Sequence, residues 1–134
     1  MIASTGTPLL TSTQNPLSIK RVLVLEDNFI IAMEAEDILR TIGVEHVEIA
    51  TNLSQAQDLI DGQAFDFVFL DVNLGAETSF EFANMLVARG LRFGFVSGYG
   101  EDSSFPAGLR DVPRISKPFN EDTVESLLSS IGKP

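Results

Sequence analysis

Five short apolar runs recur along the chain, and segments with helical periodicity separate most of them. The runs are rich in β-branched and aromatic side chains, as buried parallel strands are. Alternation of strands with helices is the pattern of βαβ units, and it predicts an α/β fold with a mostly parallel sheet. The predicted strands are VLVLED (22–27), HVEIA (46–50), FDFVFLD (65–71), LRFGFVSG (91–98) and VPRIS (112–116).

Two of these runs have features of edge strands. HVEIA alternates polar and apolar residues, which is typical of a strand with one half-exposed face. Pro113 removes a hydrogen-bond donor from VPRIS, and proline within a sheet is confined to edges and bulges. We therefore expect the second and fifth strands at edges of the sheet.

Apolar residues at helical spacing follow four of the five runs, and suitable residues begin or end the helices. Gly43 can end the first helix, and Asn52 and Asn120 can cap the second and the last. Thr78 with Glu81 predicts a capping box for the third helix. The positions predicted to face the core are Ile31, Ala35, Ile38, Leu39 and Ile42, then Leu53, Ala56, Leu59 and Ile60, then Phe82, Leu86 and Val87, and finally Val124, Leu127, Leu128 and Ile131.

The connection between the fourth and fifth runs differs from the others. Gly100, Pro106 and Gly108 lie within residues 99–111 and leave little room for a helix. We therefore expect the fourth helix of the fold to be short or degenerate.

Length and charge narrow the possible functions. A chain of 134 residues suffices for one core, and we expect one domain over residues 20–132. Residues 1–19 are mostly polar with scattered leucines, a composition that predicts a flexible tail. Nine basic and nineteen acidic residues give a formal charge of −10, which argues against nucleic acid or an anionic membrane as a partner.

Targeting signals and cysteine chemistry are not evident in the sequence. The chain has no cysteine, so neither a disulfide framework nor a thiolate metal site is expected. The first 20 residues lack a basic region followed by an apolar core, and no later stretch is long enough to span a bilayer. The expected compartment is therefore the cytoplasm.

Polar and charged residues stand where four of the apolar runs end. Ligands of open parallel sheets bind beyond the carboxyl ends of the strands, so these residues are expected to converge at one edge. Three carboxylates brought together repel one another, and a hard divalent cation such as Mg²⁺ relieves that repulsion. The pattern therefore predicts phosphoryl-transfer chemistry. The residues are Glu26 and Asp27, Asp71, Ser97 and Gly98, and Lys117 and Pro118.

The acidic residues suit particular tasks in that chemistry. Asp71 is expected to be the nucleophile that attacks phosphorus and becomes an aspartyl phosphate. Asp27 would bind the metal directly, and Glu26 would bind it through water or as a second ligand. Asp71 itself and the main-chain carbonyl of Asn73 would be further ligands.

The remaining strand-end residues suit the phosphoryl group. Lys117 supplies a positive charge for one phosphoryl oxygen, and Ser97 can donate a hydrogen bond to another. Gly98 leaves room for a phosphodonor to approach.

The segments that carry these residues resemble those of the receiver domain of two-component response regulators. They are VLVLEDN (22–28), FDFVFLDVNLG (65–75), FVSG (95–98) and SKPF (116–119), and the resemblance spans essentially all of residues 20–132. It implies a flavodoxin-like doubly wound fold, with a five-stranded parallel sheet in the order 2-1-3-4-5. It also implies magnesium-dependent phosphorylation of a central aspartate by a histidine kinase.

Transferred residue by residue, the resemblance gives five positions a role. It makes Asp71 the phosphoacceptor, Glu26 and Asp27 the acidic pair, Ser97 the switch hydroxyl, and Lys117 the lysine of the family.

The resemblance also implies features beyond those residues. The peptide bond before Pro118 is expected to be cis, which an X-Pro bond permits. The protein would be a bacterial phosphoacceptor with at most slow autodephosphorylation, and not an enzyme. Its expected partners are a histidine kinase and a histidine phosphotransfer protein or downstream regulator, which would make it a phosphorelay intermediate, a phosphate sink or an adaptor.

One part of the sequence departs from the usual receiver pattern. Arg114 stands where receivers typically carry a Tyr or Phe that moves inward on activation. FGFVSGYG (93–100) is similar instead to the FAT GUY subgroup, which is often stand-alone, although Val96 and Ser97 occupy its Ala and Thr positions. Tyr99 is the aromatic residue expected to move in place of the missing one.

Simpler interpretations exist for several of these residues. Asp71 could cap a turn, and Glu26 with Asp27 could complement the dipole of the first helix. Lys117 could protect an edge strand. His46 is expected at the surface, and the core is expected to contain Phe65, Phe67, Phe69, Phe93 and Phe95.

Two other functions use related chemistry or the same fold. A magnesium-dependent phosphohydrolase that forms an aspartyl phosphate normally needs a second aspartate two residues after the nucleophile, and that position is Asn73. A nucleotide- or flavin-binding module would need a glycine-rich loop after the first strand, where this chain is acidic.

Overall fold

The computed structural model describes residues 19–75, 77–98 and 105–131. Within these ranges the chain forms one sheet of five strands in the order β2-β1-β3-β4-β5, and all neighbouring strands are parallel. This is the flavodoxin-like doubly wound fold that the sequence predicted. The strands are β1 (Arg21–Leu25), β2 (His46–Ala50), β3 (Phe67–Asp71), β4 (Phe93–Ser97) and β5 (Arg114–Ser116).

Four helices in the described part of the chain cover the two faces of the sheet. One face carries α1 (Phe29–Thr41) and α4 (Glu121–Ile131), and the other carries α2 (Leu53–Gly62) and α3 (Phe80–Arg89). Each face has its own apolar cluster, as expected for a sheet buried on both sides. No helix among the described residues is long and apolar enough to cross a membrane.

The predicted helix ends are confirmed at three positions. Asn52 accepts a hydrogen bond from the main-chain N–H of Gln55 at 2.8 Å, and Asn120 accepts one from Thr123 at 2.9 Å. Gly43 follows the end of α1 with a φ of 110°, a conformation that glycine adopts without steric cost.

The prediction for α3 was wrong in two respects. The helix begins after Ser79, which takes the N-cap position, so Thr78 and Glu81 do not form the predicted capping box. Val87 is exposed rather than buried, because the inward face consists of Phe82, Ala83 and Leu86 and the next residue lies about 100° further round the helix.

The ends of the sheet and of the described chain also bear on the predictions. Strands β2 and β5 lie at the two edges, as expected. Between β4 and β5, the described residues form a short 3₁₀ turn, Ala107–Leu109, which agrees with a short fourth helix. Ile19 is fully buried in the core, although the sequence placed it at the end of the tail.

Candidate phosphoacceptor and metal site

Asp71 is the last residue of β3, the central strand of the sheet. Its neighbour in the register is Val96 of β4, and its side chain is only 3% exposed. A carboxylate this deep needs a cation or hydrogen bonds, because burying an isolated charge is costly. The residues around it therefore determine what it can do.

Two further carboxylates come from the end of the neighbouring strand β1. Carboxylate oxygens of Glu26, Asp27 and Asp71 all lie within 4.8 Å of one another. Glu26 is buried and Asp27 is exposed, so the cluster opens to solvent on the side of Asp27. The structure thus brings together the three acidic residues that the sequence placed at strand ends.

Asn28 helps to hold the buried member of this acidic pair, Glu26. Its main-chain N–H donates to Glu26 Oε2 at 3.0 Å. Its side-chain oxygen accepts from the N–H groups of Ile30 and Ile31, so it caps α1 at the same time. The chain therefore turns from β1 into α1 in a way that points Glu26 inward.

Lys117 contacts both buried carboxylates. Its Nζ lies 3.0 Å from Glu26 Oε1 and 3.3 Å from Asp71 Oδ2. Its main-chain N–H donates to the carbonyl of Ser97 at 2.9 Å, and the peptide bond between Lys117 and Pro118 is cis, as the resemblance implied. The lysine is therefore held by its main chain and its side chain.

Asn73 lies in a tight loop that follows Asp71. An antiparallel bridge pairs Asn73 with Thr78, and its hydrogen bonds run from Ser79 N–H to the Val72 carbonyl and from Leu74 N–H to the Glu77 carbonyl. Because both bonds belong to flanking residues, the bridge does not use the main-chain carbonyl of Asn73.

The side chain of Asn73 and the following glycine shape the same loop. Asn73 Oδ1 accepts from Gly75 N–H at 3.1 Å. Gly75 has a φ of +84°, and a Cβ there would lie 3.6 Å from Asp27 Oδ2. The loop therefore passes close to the acidic cluster.

Ser97 ends β4, the strand beside β3, and it is buried. The structure places it one residue beyond Val96, the register partner of Asp71, and Gly98 follows it. Tyr99 lies outside the described residues.

The electrostatics of the cluster favour an additional cation. Burial and the negative charge of Glu26 raise the pKa of Asp71 from 3.8 to about 7, although Lys117 lowers it in part. Burial lowers the pKa of Lys117, but its hydrogen bond to Glu26 and the charge of Asp71 outweigh this, so the pKa is raised above 10.5. Lys117 is therefore cationic at neutral pH, and one positive charge faces three carboxyl groups.

The donor atoms fit magnesium. A cleft of about 330 Å³ is lined by oxygen-bearing residues and by the lysine, and it gives access to the cluster. Magnesium prefers carboxylate and carbonyl oxygens together with water. The lining residues are Glu26, Asp27, Asn28, Ile31, Asn73, Gly75 and Lys117.

Sequence reasoning missed two residues that shape the site, and it also missed the aromatic partner of Arg114. Asn28 stands in the sequence as a good helix cap, so its type was a usable signal. Ser79 donates to the main-chain carbonyl of Asp71, a contact across eight residues that no local pattern reveals. The guanidinium of Arg114 stacks 4.3 Å from the ring centre of Phe105, which lies outside every predicted element.

A parallel sheet in this order, with an acidic cluster and a lysine at its carboxyl edge, is the architecture of receiver domains. A sequence model of the response regulator receiver domain matches residues 22–129. The chain therefore belongs to the receiver-domain family of response regulators.

Individual relatives agree with this assignment. The chain is 28% identical over 118 residues to the sensory transduction protein LytR of Streptococcus agalactiae, covering 84% of this chain and 48% of that protein. It thus spans about half the length of the curated relatives it matches.

Solved structures show the same fold. SdrG from Sphingomonas melonis Fr1 is 34% identical and superposes with a TM-score of 0.74, covering 84% of this chain and 96% of SdrG. A CheY-like receiver domain from Methylobacillus flagellatus is 21% identical, with a TM-score of 0.71 and coverage of 85% and 99%.

Proposed function

We propose that this protein is a phosphoacceptor that takes a phosphoryl group on Asp71 from a histidine kinase, with Mg²⁺ bound at the acidic cluster. The observation that carries the proposal is the position of Lys117 between the buried carboxylates of Asp71 and Glu26, with Asp27 beside them. In this proposal Asp71 is the nucleophile, Glu26 and Asp27 are the metal-binding pair, and Lys117 is the cation beside them.

The proposed reaction is an in-line displacement at phosphorus. A carboxylate oxygen of Asp71 forms a bond to phosphorus while the bond from phosphorus to the imidazole nitrogen of the donor breaks, and the imidazole leaves with the electron pair. Lys117 stabilises negative charge on the transferred oxygens. Magnesium held by the acidic cluster would supply further positive charge for the transferred group.

The raised pKa of Asp71 explains the requirement for metal in this proposal. A protonated carboxyl group is a poor nucleophile, and near neutral pH part of the Asp71 population is protonated. Glu26, Asp27 and Asp71, with the main-chain carbonyl of Asn73, are the ligands we assign to the metal. A divalent cation there would lower the pKa of Asp71 and leave it ionised.

Exposed apolar residues beside the cleft suit contact with a protein donor. Phe29, Ile30 and Met33 lie near the start of α1 and are 55%, 75% and 51% exposed. Asn28 and Ile31 of the same region line the cleft itself. We assign this part of α1 to the surface that meets the phosphodonor.

The signal is proposed to leave the protein through protein contacts. Ser97 is assigned to bind the phosphoryl group, with Gly98 leaving room for the donor, and the loop that contains Tyr99 is assigned to respond. Most receivers carry an aromatic residue at the position of Arg114, and here the guanidinium of Arg114 packs on the ring of Phe105 instead. This difference supports an unusual switch of the FAT GUY kind.

The pathway role follows from the same proposal. The receiver would serve in the bacterial cytoplasm as a phosphorelay intermediate, a phosphate sink or an adaptor, with a phosphotransfer protein or downstream regulator as its second partner. The expectation of a single-domain regulator stays a prediction.

The two alternative functions are less well supported. In a phosphohydrolase the residue two positions after the nucleophile acts as a general acid and base. That residue is Asn73 here, which carries no titratable group and whose side-chain oxygen accepts a hydrogen bond from Gly75 N–H. In a nucleotide- or flavin-binding module the first turn would bind phosphate, but here it carries Glu26 and Asp27.

The experiment that tests the proposal uses a small phosphodonor. The protein is incubated with acetyl phosphate and Mg²⁺, and its intact mass is recorded beside Asp71→Asn and a sample with chelator. We expect one phosphoryl adduct that requires both Asp71 and the metal. An adduct of equal yield in Asp71→Asn, or none in the wild type, would rule the proposal out.

A further inference from the structure

Ser79 is a buried residue that binds the main chain of the proposed phosphoacceptor. Its Oγ donates a hydrogen bond of 2.6 Å to the carbonyl of Asp71, and the carbonyl of Val72 lies 3.4 Å away. Its N–H donates to the carbonyl of Val72 at 3.0 Å. Ser79 is 0% exposed, so water does not compete for these bonds.

The hydroxyl of Ser79 does not cap the helix that Ser79 begins. Ser79 is the N-cap of α3, and a serine at that position normally accepts a hydrogen bond from the second or third N–H of the helix. Here the side chain makes no such bond, whereas Asn28 and Asn52 do cap their helices. The hydroxyl therefore serves the end of β3 and not its own helix.

The bond closes the loop that carries a proposed metal ligand. The chain leaves β3 after Asp71, and the bridge between Asn73 and Thr78 brings the two sides of the following loop together. The bridge fixes the shape of the loop, and Ser79 Oγ joins the loop to Asp71 itself. The main chain between Asp71 and Asn73 is thereby anchored at the Asp71 carbonyl by Ser79 Oγ and at Asn73 by the bridge.

We propose that Ser79 is a positioning residue for the metal site, acting through the main-chain carbonyl of Asp71. The inference rests on the proposed function, because it concerns the ligands assigned to magnesium there. Without the hydroxyl, the bridge still holds the shape of the loop, but the main-chain carbonyl of Asp71 loses its anchor. The carboxylate of Asp71 and the carbonyl of Asn73 are then presented over a wider range of relative positions.

The test is a Mg²⁺ titration of the ¹⁵N-labelled full chain, followed by NMR for the wild type and for Ser79→Ala. We expect Ser79→Ala to bind Mg²⁺ about ten-fold more weakly, as is usual when a group that orients metal ligands is removed. Thr78→Ala is the matched control, since it removes an exposed hydroxyl from the same loop, and its affinity should equal that of the wild type.

A second control separates positioning from stability. Asn52→Ala removes the cap of α2, which lowers stability at a distance from the cluster, and it should leave Mg²⁺ affinity unchanged. If Ser79→Ala does not fold, Ser79→Cys fills the site with a slightly larger side chain of the same shape and weakens the donor. If neither variant folds, the hydroxyl is required by the whole fold, and a role confined to the site is overturned.

The wild type distinguishes this proposal from the one on which it rests. A wild type that binds Mg²⁺ and accepts a phosphoryl group, with Ser79→Ala matching Thr78→Ala, would overturn the role of Ser79 alone. A wild type that does neither would overturn both proposals.

Discussion

The ammonium group of Lys117 lies 3.3 Å from the carboxylate of Asp71, and the two residues are 46 positions apart in the sequence. The contact joins the end of the central strand to the turn that follows β5. The positive charge of Lys117 compensates the buried carboxylate of Asp71 only in part, because burial and the charge of Glu26 still raise the pKa of Asp71 to about 7. Several predictions depend on this excess of negative over positive charge around Asp71.

The stability of the metal-free protein should fall as pH rises. The folded state holds the proton of Asp71 up to about pH 7, whereas the unfolded state releases it near 3.8. Between these values the folded state binds more protons, so the stabilising contribution is complete below 3.8 and is lost as pH rises through 7.

Asp71→Asn isolates this effect. In chelator, the free energy of unfolding of the wild type minus that of Asp71→Asn should decrease by on the order of 2–4 kcal/mol between about pH 4 and about pH 8. Denaturant melts at several pH values measure it. A constant difference would show that Asp71 has an ordinary pKa, and added Mg²⁺ should reduce the dependence.

Lys117→Met should destabilise the protein and slow its phosphorylation. The change leaves the buried carboxylates of Glu26 and Asp71 without their cation, which costs about 3–5 kcal/mol in comparable buried pairs. Denaturant unfolding near neutral pH in chelator measures the loss, which should become smaller at lower pH.

An exposed ion pair provides the control for Lys117. Arg40→Ala breaks the pair with Glu36 on the surface of α1, and such pairs contribute about 0–1 kcal/mol. If both substitutions cost the same, Lys117 does not compensate buried charge.

The apolar start of α1 should matter for a protein donor and not for a small one. Ile30→Ala combined with Met33→Ala removes exposed apolar side chains near the start of α1, and loss of two apolar anchors should reduce transfer from a cognate histidine kinase by about ten-fold. The rate with acetyl phosphate should stay unchanged. Transfer rates from the two donors check this.

Val87→Ala is the matched control for the α1 surface. Val87 is 57% exposed on α3, on the other face of the sheet. Equal losses from both surfaces would show that the effect does not arise from docking at α1.

The stacking of Arg114 on Phe105 should contribute to stability. Arg114→Ala removes a guanidinium 4.3 Å from the ring centre, and such contacts contribute about 0.5–2 kcal/mol. The midpoint of urea unfolding should fall accordingly. An unchanged midpoint would mean that the position of Arg114 is set by its place in β5 and not by its contact with the ring of Phe105.

The fold was predictable because its signals are local. Each strand is visible in the sequence as a run of mainly apolar residues. Asn52 and Asn120 stand at positions where helices need N-caps. The error at α3 has a tertiary cause. Ser79 and Thr78 are equally suited to begin a helix, and the bridge between Asn73 and Thr78 decides which of them does.

The site was predictable to the extent that it lies at strand ends. Glu26, Asp27, Asp71 and Lys117 follow apolar runs, and parallel topology then brings them together. The bond from Ser79 to Asp71 was not predictable, because it depends on how an eight-residue turn closes. The fit of Gly94 against Leu127, where a Cβ would lie 2.8 Å from Cδ1, is likewise visible only after folding.

Phosphorylation of Asp71 is tested most directly by identifying the residue that becomes modified. The protein is treated with acetyl phosphate and Mg²⁺, reduced with borohydride, which converts an aspartyl phosphate to homoserine, and digested for peptide mass spectrometry. We expect homoserine at position 71 in the treated sample and none when the metal is chelated. Homoserine at Asp27 in place of Asp71, or no conversion at any residue, would contradict it.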